Sequence, residues 1–231
     1  MILDPFYLLF VALPVMVMSM GASWLTKSAF RKYSRVGSAT GFTGAQAAQI
    51  LLERAGIRDV QVVPTQGYLS DHYNPTNKTL ALSEEVYGSR SIAAIGVACH
   101  EAGHAIQHAR NYAPLWVRSA LVPTAGIGSQ LGIWVMIAGI FMNFNILVGV
   151  GAVLFSAVVL FQLVTLPVEF DATARAKKLA VEHGLVTRHE RAGMDKVLNA
   201  AALTYVAAAA SSILTLLYYL WRAGLLGGSR D

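Results

Sequence analysis

Charged residues are scarce in this 231-residue chain: Asp, Glu, Lys and Arg make up 13%, whereas 55% of the residues are hydrophobic. This composition excludes a typical soluble domain, in which about a quarter of the residues are charged. It indicates an integral membrane protein. Cysteine occurs once, at Cys99, which excludes an intramolecular disulfide and suits a reducing cytoplasm.

Acidic residues are the rarer charged type, with 13 Asp and Glu against 18 Lys and Arg and a net charge of +5. Many of the basic residues lie near the ends of long uncharged runs. Membrane topology and anionic lipid headgroups therefore account for the excess. We expect the lipid bilayer as a partner and no nucleic acid.

Four uncharged runs are long enough to cross about 30 Å of hydrocarbon, which takes roughly 20 residues in a helix. They are 5–26, 119–142, 146–168 and 200–221. The first is predicted to be an anchor and not a cleaved signal peptide, because its basic residues follow the apolar run. The second and third are separated by a short turn at 143–145, which predicts an antiparallel transmembrane hairpin.

Basic residues cluster in the two segments between the first and second spans and between the third and fourth. The positive-inside rule places both segments in the cytoplasm and both termini outside. The predicted organisation is a transmembrane anchor at 1–26, a cytoplasmic zincin-like part at 27–118, a transmembrane hairpin at 119–168, a second cytoplasmic segment at 169–199, a transmembrane helix at 200–222 and a tail at 223–231.

The sequence HEAGH at 100–104 is the pattern of a hydrolytic zinc site. On a helix, His100 and His104 share a face, so both imidazoles can bind one ion. Glu101 then lies beside the ion and can act as general base towards the attacking water. Ser89 or Ser91 can cap this helix. Adjacent helical residues point about 100° apart, so Cys99 is interpreted as a buried packing residue.

A catalytic zinc site needs three protein ligands and one open position. An extended motif with a third histidine is excluded, because its places hold Gln107 and Arg110. His108 lies two turns from His100, too far along the helix, and is interpreted as a residue that packs or hydrogen-bonds near the site.

Glu169 is the best candidate for the third ligand, because it is the first charge after the third apolar run. Pro167 is predicted to start a new helical turn there. Asp171 lies two residues after Glu169 and so points to the opposite side of a helix. The two carboxylates therefore cannot both bind one metal.

The segment before the zinc motif is predicted to fold as one helix and a small sheet. A capping-box pattern at 43–46 opens the helix, and Gly56 ends it. Strands are predicted at 60–63, 67–73 and 79–82, with a turn at 74–77. Such a sheet offers an edge to an extended peptide.

Asp71, His72 and Tyr73 lie close to this edge in sequence. They can supply a substrate contact or an oxyanion donor. The alternative is that they shape a polar hairpin turn.

Four segments of the chain resemble the bacterial membrane-bound neutral zinc metallopeptidases of the YugP type. They are LSDHYNP at 69–75, LALSEEVY at 80–87, SRSIAA at 89–94 and LPVEFDA at 166–172, and the likeness covers roughly residues 60–180. The resemblance implies a zinc peptidase of the bacterial inner membrane with a cytoplasmic, glutamate-zincin-like site and Glu169 as the third ligand. It implies an α+β membrane protein, mostly α-helical, with about four transmembrane helices and a small zincin-like sheet beside the zinc helix.

Related glutamate-zincins usually carry an Asp four residues after the ligand glutamate to orient the first histidine. Here that place is Thr173. Thr173, Asp171 or a backbone carbonyl is therefore expected to hold the outer nitrogen of His100.

The predicted function is hydrolysis of peptide bonds in peptides or proteins by a zinc-dependent endopeptidase. Membrane proteins are expected substrates, as a quality-control role would require. The alternative is a non-catalytic membrane zinc-binding scaffold or adaptor, although an intact Glu101 argues against it. A transporter is disfavoured, because the spans hold almost no ionisable residues.

The second span contains four glycines that permit close helix packing. They are Gly126, Gly128, Gly132 and Gly139. The packing partner is either a helix of the same chain or a second copy, so the sequence leaves a homo-oligomer open.

Overall fold

The computed structural model describes residues 4–226 and is mostly helical, with a three-stranded sheet. Residues 1–3 of the predicted anchor and 227–231 of the predicted tail lie outside the described residues. The elements are α1 (Pro5–Tyr33), α2 (Gly44–Arg54), β1 (Gln61–Thr65), β2 (His72–Asn74), β3 (Thr79–Ser83), α3 (Glu84–Tyr87), α4 (Ile92–Ala109), α5 (Ala113–Phe141), α6 (Asn145–Glu182) and α7 (Arg191–Arg222). Single π-helical turns interrupt α1 at Leu8–Ala12 and α5 at Gly128–Gly132.

Four helices, α1, α5, α6 and α7, are long and apolar enough to cross a membrane. This confirms the predicted α+β membrane protein with about four transmembrane helices and a small sheet. Helices α1, α6 and α7 contain the predicted apolar runs and extend beyond at least one end of each, and α5 contains all of 119–142 except Met142.

The prediction that Pro167 starts a new helical turn was wrong, because Pro167 lies inside the continuous helix α6. A proline removes one helical hydrogen bond. Packing of the residues after Pro167 outweighs the lost hydrogen bond. There α6 continues with a stripe of fully buried residues at four-residue spacing: Val168, Ala172, Ala176 and Ala180. Such a stripe is the core-facing side of a helix.

The described residues form two compact units. The first contains residues 4–21, 116–167 and 204–226, and the second contains 22–115 and 168–203. In the first unit, α5 and α6 form a hairpin whose connection includes Asn143 in the left-handed region, with φ of 52°. Met136, Val148 and Phe155 lie in the core of this unit.

Glycines bring the two helices of this hairpin into backbone contact. A Cβ atom added at Gly139 would lie 2.6 Å from the backbone nitrogen of Val148, and one at Gly151 would lie 2.6 Å from that of Met136. The glycine-rich face of α5 therefore packs against a helix of the same chain. Gly126 is the exception, with nothing within 4 Å of an added Cβ.

In the second unit, the sheet has the strand order β1-β3-β2, with β1 parallel and β2 antiparallel to β3. Helix α2 opens with the predicted capping box, in which Thr43 and Gln46 each bind the other's backbone N–H. Gly56 follows the helix with φ of +78°, as a glycine stop requires. Leu80 and Leu82 of β3 belong to a buried core that also contains the inner faces of α2 and α4.

The predicted strand at 67–73 was wrong for most of its length, because β2 contains only His72–Asn74. Gly67 and Leu69 have φ values of +106° and +53°, which an extended strand does not allow. The Ser70 hydroxyl, 2.9 Å from the Gln66 carbonyl and 2.8 Å from that of Gly67, closes this segment into a turn.

We expect Gly139→Ala to destabilise the α5–α6 hairpin by about 1–3 kcal/mol, the usual cost of overpacking. Gly126→Ala is the matched control, because its methyl group meets no neighbour and alanine is the better helix former. The apparent Tm in detergent should fall for Gly139→Ala and stay equal or rise for Gly126→Ala. Equal shifts in both variants would contradict the backbone contact.

Candidate metal centre

Helix α4 carries His100, Glu101 and His104 of the zinc motif within five consecutive residues. Its N-cap is Ser91, whose hydroxyl accepts a hydrogen bond of 3.1 Å from the Ala94 backbone N–H. The rings of His100 and His104 lie with centroids 4.8 Å apart and nearly perpendicular, at 85°. The i, i+4 spacing therefore places both imidazoles on one face of a well-buried helix.

Glu169 reaches both histidines from α6. Its Oε2 lies 3.2 Å from His100 Nε2 and 3.4 Å from His104 Nε2. One ligand atom from each of the three residues lies within 4.8 Å of the others. Glu169 is only 1% exposed, so these atoms are separated from bulk solvent on the α6 side.

Gly103 makes this approach of α6 to α4 possible. A Cβ atom at position 103 would lie 2.9 Å from the backbone carbonyl oxygen of Ala172. Real side chains do not approach a backbone oxygen so closely. The glycine within the motif therefore sets the helix separation at which the Glu169 carboxylate can meet both imidazoles.

Gln107 fixes the orientation of His104. Its Nε2 donates to the Val168 carbonyl at 2.8 Å and to Asp171 Oδ2 at 2.7 Å, which leaves Oε1 facing His104 Nδ1 at 3.0 Å. An amide oxygen only accepts, so His104 carries its proton on Nδ1. The Nε2 lone pair of His104 is therefore directed at Glu169.

Thr173 contacts the outer nitrogen of His100. Its hydroxyl oxygen lies 3.2 Å from His100 Nδ1. The Asp171 carboxylate has other partners: its Oδ2 accepts from Gln107 and, at 2.5 Å, from Arg175 Nε. Of the alternatives for the outer nitrogen of His100, the structure places Thr173 there.

The cluster has the donor set of a tetrahedral metal site. Nε2 of His100 and Nε2 of His104 both lie beside Oε2 of Glu169, and two imidazoles with one carboxylate are a donor set that zinc binds. Zinc–ligand bonds of about 2.0–2.1 Å in a tetrahedron separate the donor atoms by about 3.3 Å. The separations of 3.2 and 3.4 Å from Glu169 Oε2 match this value.

Burial and nearby negative charges have opposite effects on the pKa of His104. Burial alone would lower the pKa of this imidazole, but the hydrogen bond with Glu169 and the negative charges of Glu101 and Glu169 outweigh burial and raise it. The same charges that favour a proton on His104 favour a metal cation at the site.

Glu101 is buried, and its carboxylate is available to accept a proton. It is 8% exposed, and no hydrogen bond or ion pair of its carboxylate is found within residues 4–226. A carboxylate in this position, next to His100 in sequence and close enough to His104 to affect its pKa, can accept a proton from a water at the site.

The other residues singled out in the sequence lie outside the ligand cluster. Asp71 accepts from the Ser83 backbone N–H at 2.8 Å, and burial raises its pKa against the Ser83 hydrogen bonds, with a further rise from the charge of Glu101. His72 is exposed, with Nδ1 2.8 Å from the Ser70 carbonyl. Tyr73 and His108 pair with each other, hydroxyl to Nδ1, at 2.8 Å.

Sequence reasoning missed the role of Gln107 and considered it only as a place where a third histidine is absent. Gln107 is fully buried and lies three residues after His104, on the same side of α4. A polar amide at this spacing from a candidate ligand is the signal that could have identified it.

Comparisons with known proteins agree with a zinc site in this chain. The chain matches the model of a family described as "Putative neutral zinc metallopeptidase" over residues 8–224. It is 44% identical over 211 residues to the "Putative membrane protease YugP" of Bacillus subtilis (strain 168), which covers 91% of this chain and 94% of that protein. No solved structure matches the chain.

We expect Gly103→Ala to weaken zinc binding at least tenfold, because the added methyl group pushes Ala172, and with it Glu169, away from the histidines. Gly96→Ala is the matched control on the same helix, since its methyl group meets no backbone atom and contacts the flexible side chain of Met194 at 2.9 Å and Leu198 at 3.9 Å. Competition with a fluorescent zinc chelator measures both affinities. Equal affinities in the two variants would show that the close approach at Gly103 is unnecessary.

We expect zinc affinity to fall as the pH is lowered from about 8 to about 6, because protons compete for the histidine nitrogens. Since the pKa of His104 is raised, the competition begins at a higher pH than for an ordinary histidine. The same chelator titration at several pH values measures this. An affinity independent of pH over this range would contradict imidazole ligation.

Proposed function

The chain belongs to the family of neutral zinc metallopeptidases whose model it matches, and we propose that it is a membrane-embedded endopeptidase that hydrolyses peptide bonds at a zinc site. The proposed ligands are His100, His104 and Glu169, with Glu101 as the general base. The observation that carries the proposal is the convergence of the three ligand atoms beside a buried carboxylate that has no other partner in the described part of the chain.

A bound Zn²⁺ supplies two kinds of chemistry here: it polarises the scissile carbonyl and lowers the pKa of water to about 7. Glu101 accepts the proton of the attacking water and passes it to the leaving amine nitrogen. Gln107 keeps the proton of His104 on Nδ1, and the Thr173 hydroxyl binds Nδ1 of His100, so that both Nε2 atoms face the site as ligands.

The proposed substrate is an extended peptide segment of a protein, membrane proteins included. Strand β2 is at an edge of the sheet, and Tyr73 of this strand contacts His108 of α4, one turn beyond the ligand His104. A peptide added alongside β2 therefore runs close to the helix that carries the site. Asp71, whose pKa responds to the charge of Glu101, lies at the start of this edge.

We place the site on the cytoplasmic side of the bacterial inner membrane. The basic residues that follow α1 and those between the third and fourth spans support this orientation through the positive-inside rule. The ligand histidines and Glu169 belong to these two segments, which the even number of intervening spans brings to one side of the membrane.

The test is cleavage of a mixed pool of unfolded and membrane-derived peptides by the detergent-purified protein. Glu101→Gln should lower kcat/KM by about 100-fold or more, as loss of a general base does, with zinc content unchanged. Glu85→Gln is the matched control, an exposed carboxylate outside the cluster, and should cleave like the wild type.

Two outcomes would contradict the proposal. Equal cleavage by the wild type and Glu101→Gln would remove Glu101 from the mechanism. One equivalent of bound zinc without cleavage by the wild type would favour a non-catalytic zinc-binding scaffold. Mass-spectrometric mapping of the new termini in the wild type and in His104→Ala separates these outcomes from cleavage by a contaminant, because only a contaminant's products persist when a proposed zinc ligand is removed.

A further inference from the structure

A cavity of about 400 Å³ lies in the second unit, between α2, α4 and α6. Its walls include the buried apolar side chains of Leu51 and Ile106. Four basic side chains surround it: Arg54, Arg110, Arg175 and Lys178. None of the proposed zinc ligands contributes to its lining, so the cavity is separate from the candidate metal centre.

The charges around this cavity do not balance. Glu182 is the one carboxylate in its described lining, against four cations. Arg175 pairs with Asp171 outside the cavity. No hydrogen bond or ion pair of Arg54, Arg110 or Lys178 is found in the part of the chain that the structure describes. Arg54, Arg110 and Lys178 are exposed to solvent at the rim, where an excess of positive charge around a concave surface attracts an anion.

We propose that this cavity binds an anionic ligand through a phosphate group. Three of the four cations are arginines, whose planar donor forks match phosphate oxygens, and a phosphate offers up to two negative charges to neutralise the excess. The volume falls in the range of small-molecule pockets and exceeds what a simple halide needs. Leu51 and Ile106 give the organic part of the ligand an apolar surface.

Two sources can supply this chemistry: the headgroup of an acidic phospholipid or a soluble phosphate compound. Both present the same phosphate oxygens to the arginines.

The cavity is connected to the candidate metal centre through Arg175. Its Nε donates to Asp171 at 2.5 Å, Asp171 accepts from Gln107 at 2.7 Å, and Gln107 accepts from His104 at 3.0 Å. These hydrogen bonds extend from a side chain of the cavity to one of the proposed zinc ligands.

The direct test is binding of inorganic phosphate to the detergent-purified full-length protein. It is measured by isothermal titration calorimetry and by phosphorus NMR, with the protein initially in a phosphate-free buffer. The double variant Arg54→Glu/Lys178→Glu should bind phosphate at least tenfold more weakly than the wild type. Arg188→Glu/Lys196→Glu, the same charge change at exposed residues outside the cavity, should stay within twofold. Potassium chloride at equal ionic strength should not displace the ligand.

A second arm identifies the source. The protein is reconstituted in nanodiscs of phosphatidylglycerol or phosphatidylcholine, and retention of phosphatidylglycerol is measured by native mass spectrometry. Selective retention that is lost in Arg54→Glu/Lys178→Glu, without binding of free phosphate, would assign the phosphate to a lipid headgroup. Binding of free phosphate without selective retention would assign it to a soluble ligand.

The proposal fails if the wild type binds neither probe, or if both double variants lose binding equally, since the effect is then one of net charge. Arg110→Ala removes a cavity cation without charge reversal and keeps the test valid should the double variant misfold; unchanged phosphate binding in a folded Arg110→Ala would also count against the cavity. The readout requires neither bound zinc nor peptidase activity, so its result is independent of the proposed function.

Discussion

The hydrogen bonds of Gln107 join the two helices on which the candidate metal centre depends. One buried amide on α4 binds the Val168 carbonyl and Asp171 on α6 and leaves its oxygen for His104. The absence of a side chain at Gly103 lets the helix backbones approach, and Gln107 fixes them there with polar contacts that burial strengthens. The position of Glu169 against both imidazoles follows from this helix pairing and not from its own side chain alone.

Much of the centre could be predicted from local spacing. His100 and His104 form a pair in any α-helix, because i and i+4 share a face, and Glu169 stands out as the first charge after a long apolar run. The membrane class follows from composition, and the capping box at Thr43 and Gln46 follows from a four-residue pattern. Each of these depends on residues close together in the chain.

The features that sequence reasoning missed depend on contacts between distant segments. Gln107 gains its role only because α6 brings Val168 and Asp171 to it, 61 and 64 residues away. Pro167 suggested a helix start, yet the buried stripe from Val168 to Ala180 keeps α6 continuous. The predicted strand at 67–73 failed because left-handed φ angles at Gly67 and Leu69 interrupt the apolar alternation. Tertiary packing and turn geometry decided these cases, and neither is visible in local periodicity.

Zinc K-edge X-ray absorption on the purified protein, with metal content measured in the same sample, tests the central claim that His100, His104 and Glu169 hold one zinc ion. The account predicts one zinc per chain, with nitrogen and oxygen neighbours at about 2.0–2.1 Å, multiple scattering from two imidazoles and no sulfur neighbour near about 2.3 Å. Glu169→Gln should lose the ion or one of its oxygen neighbours. A sulfur neighbour, or an unchanged spectrum and zinc content in Glu169→Gln, would contradict the account.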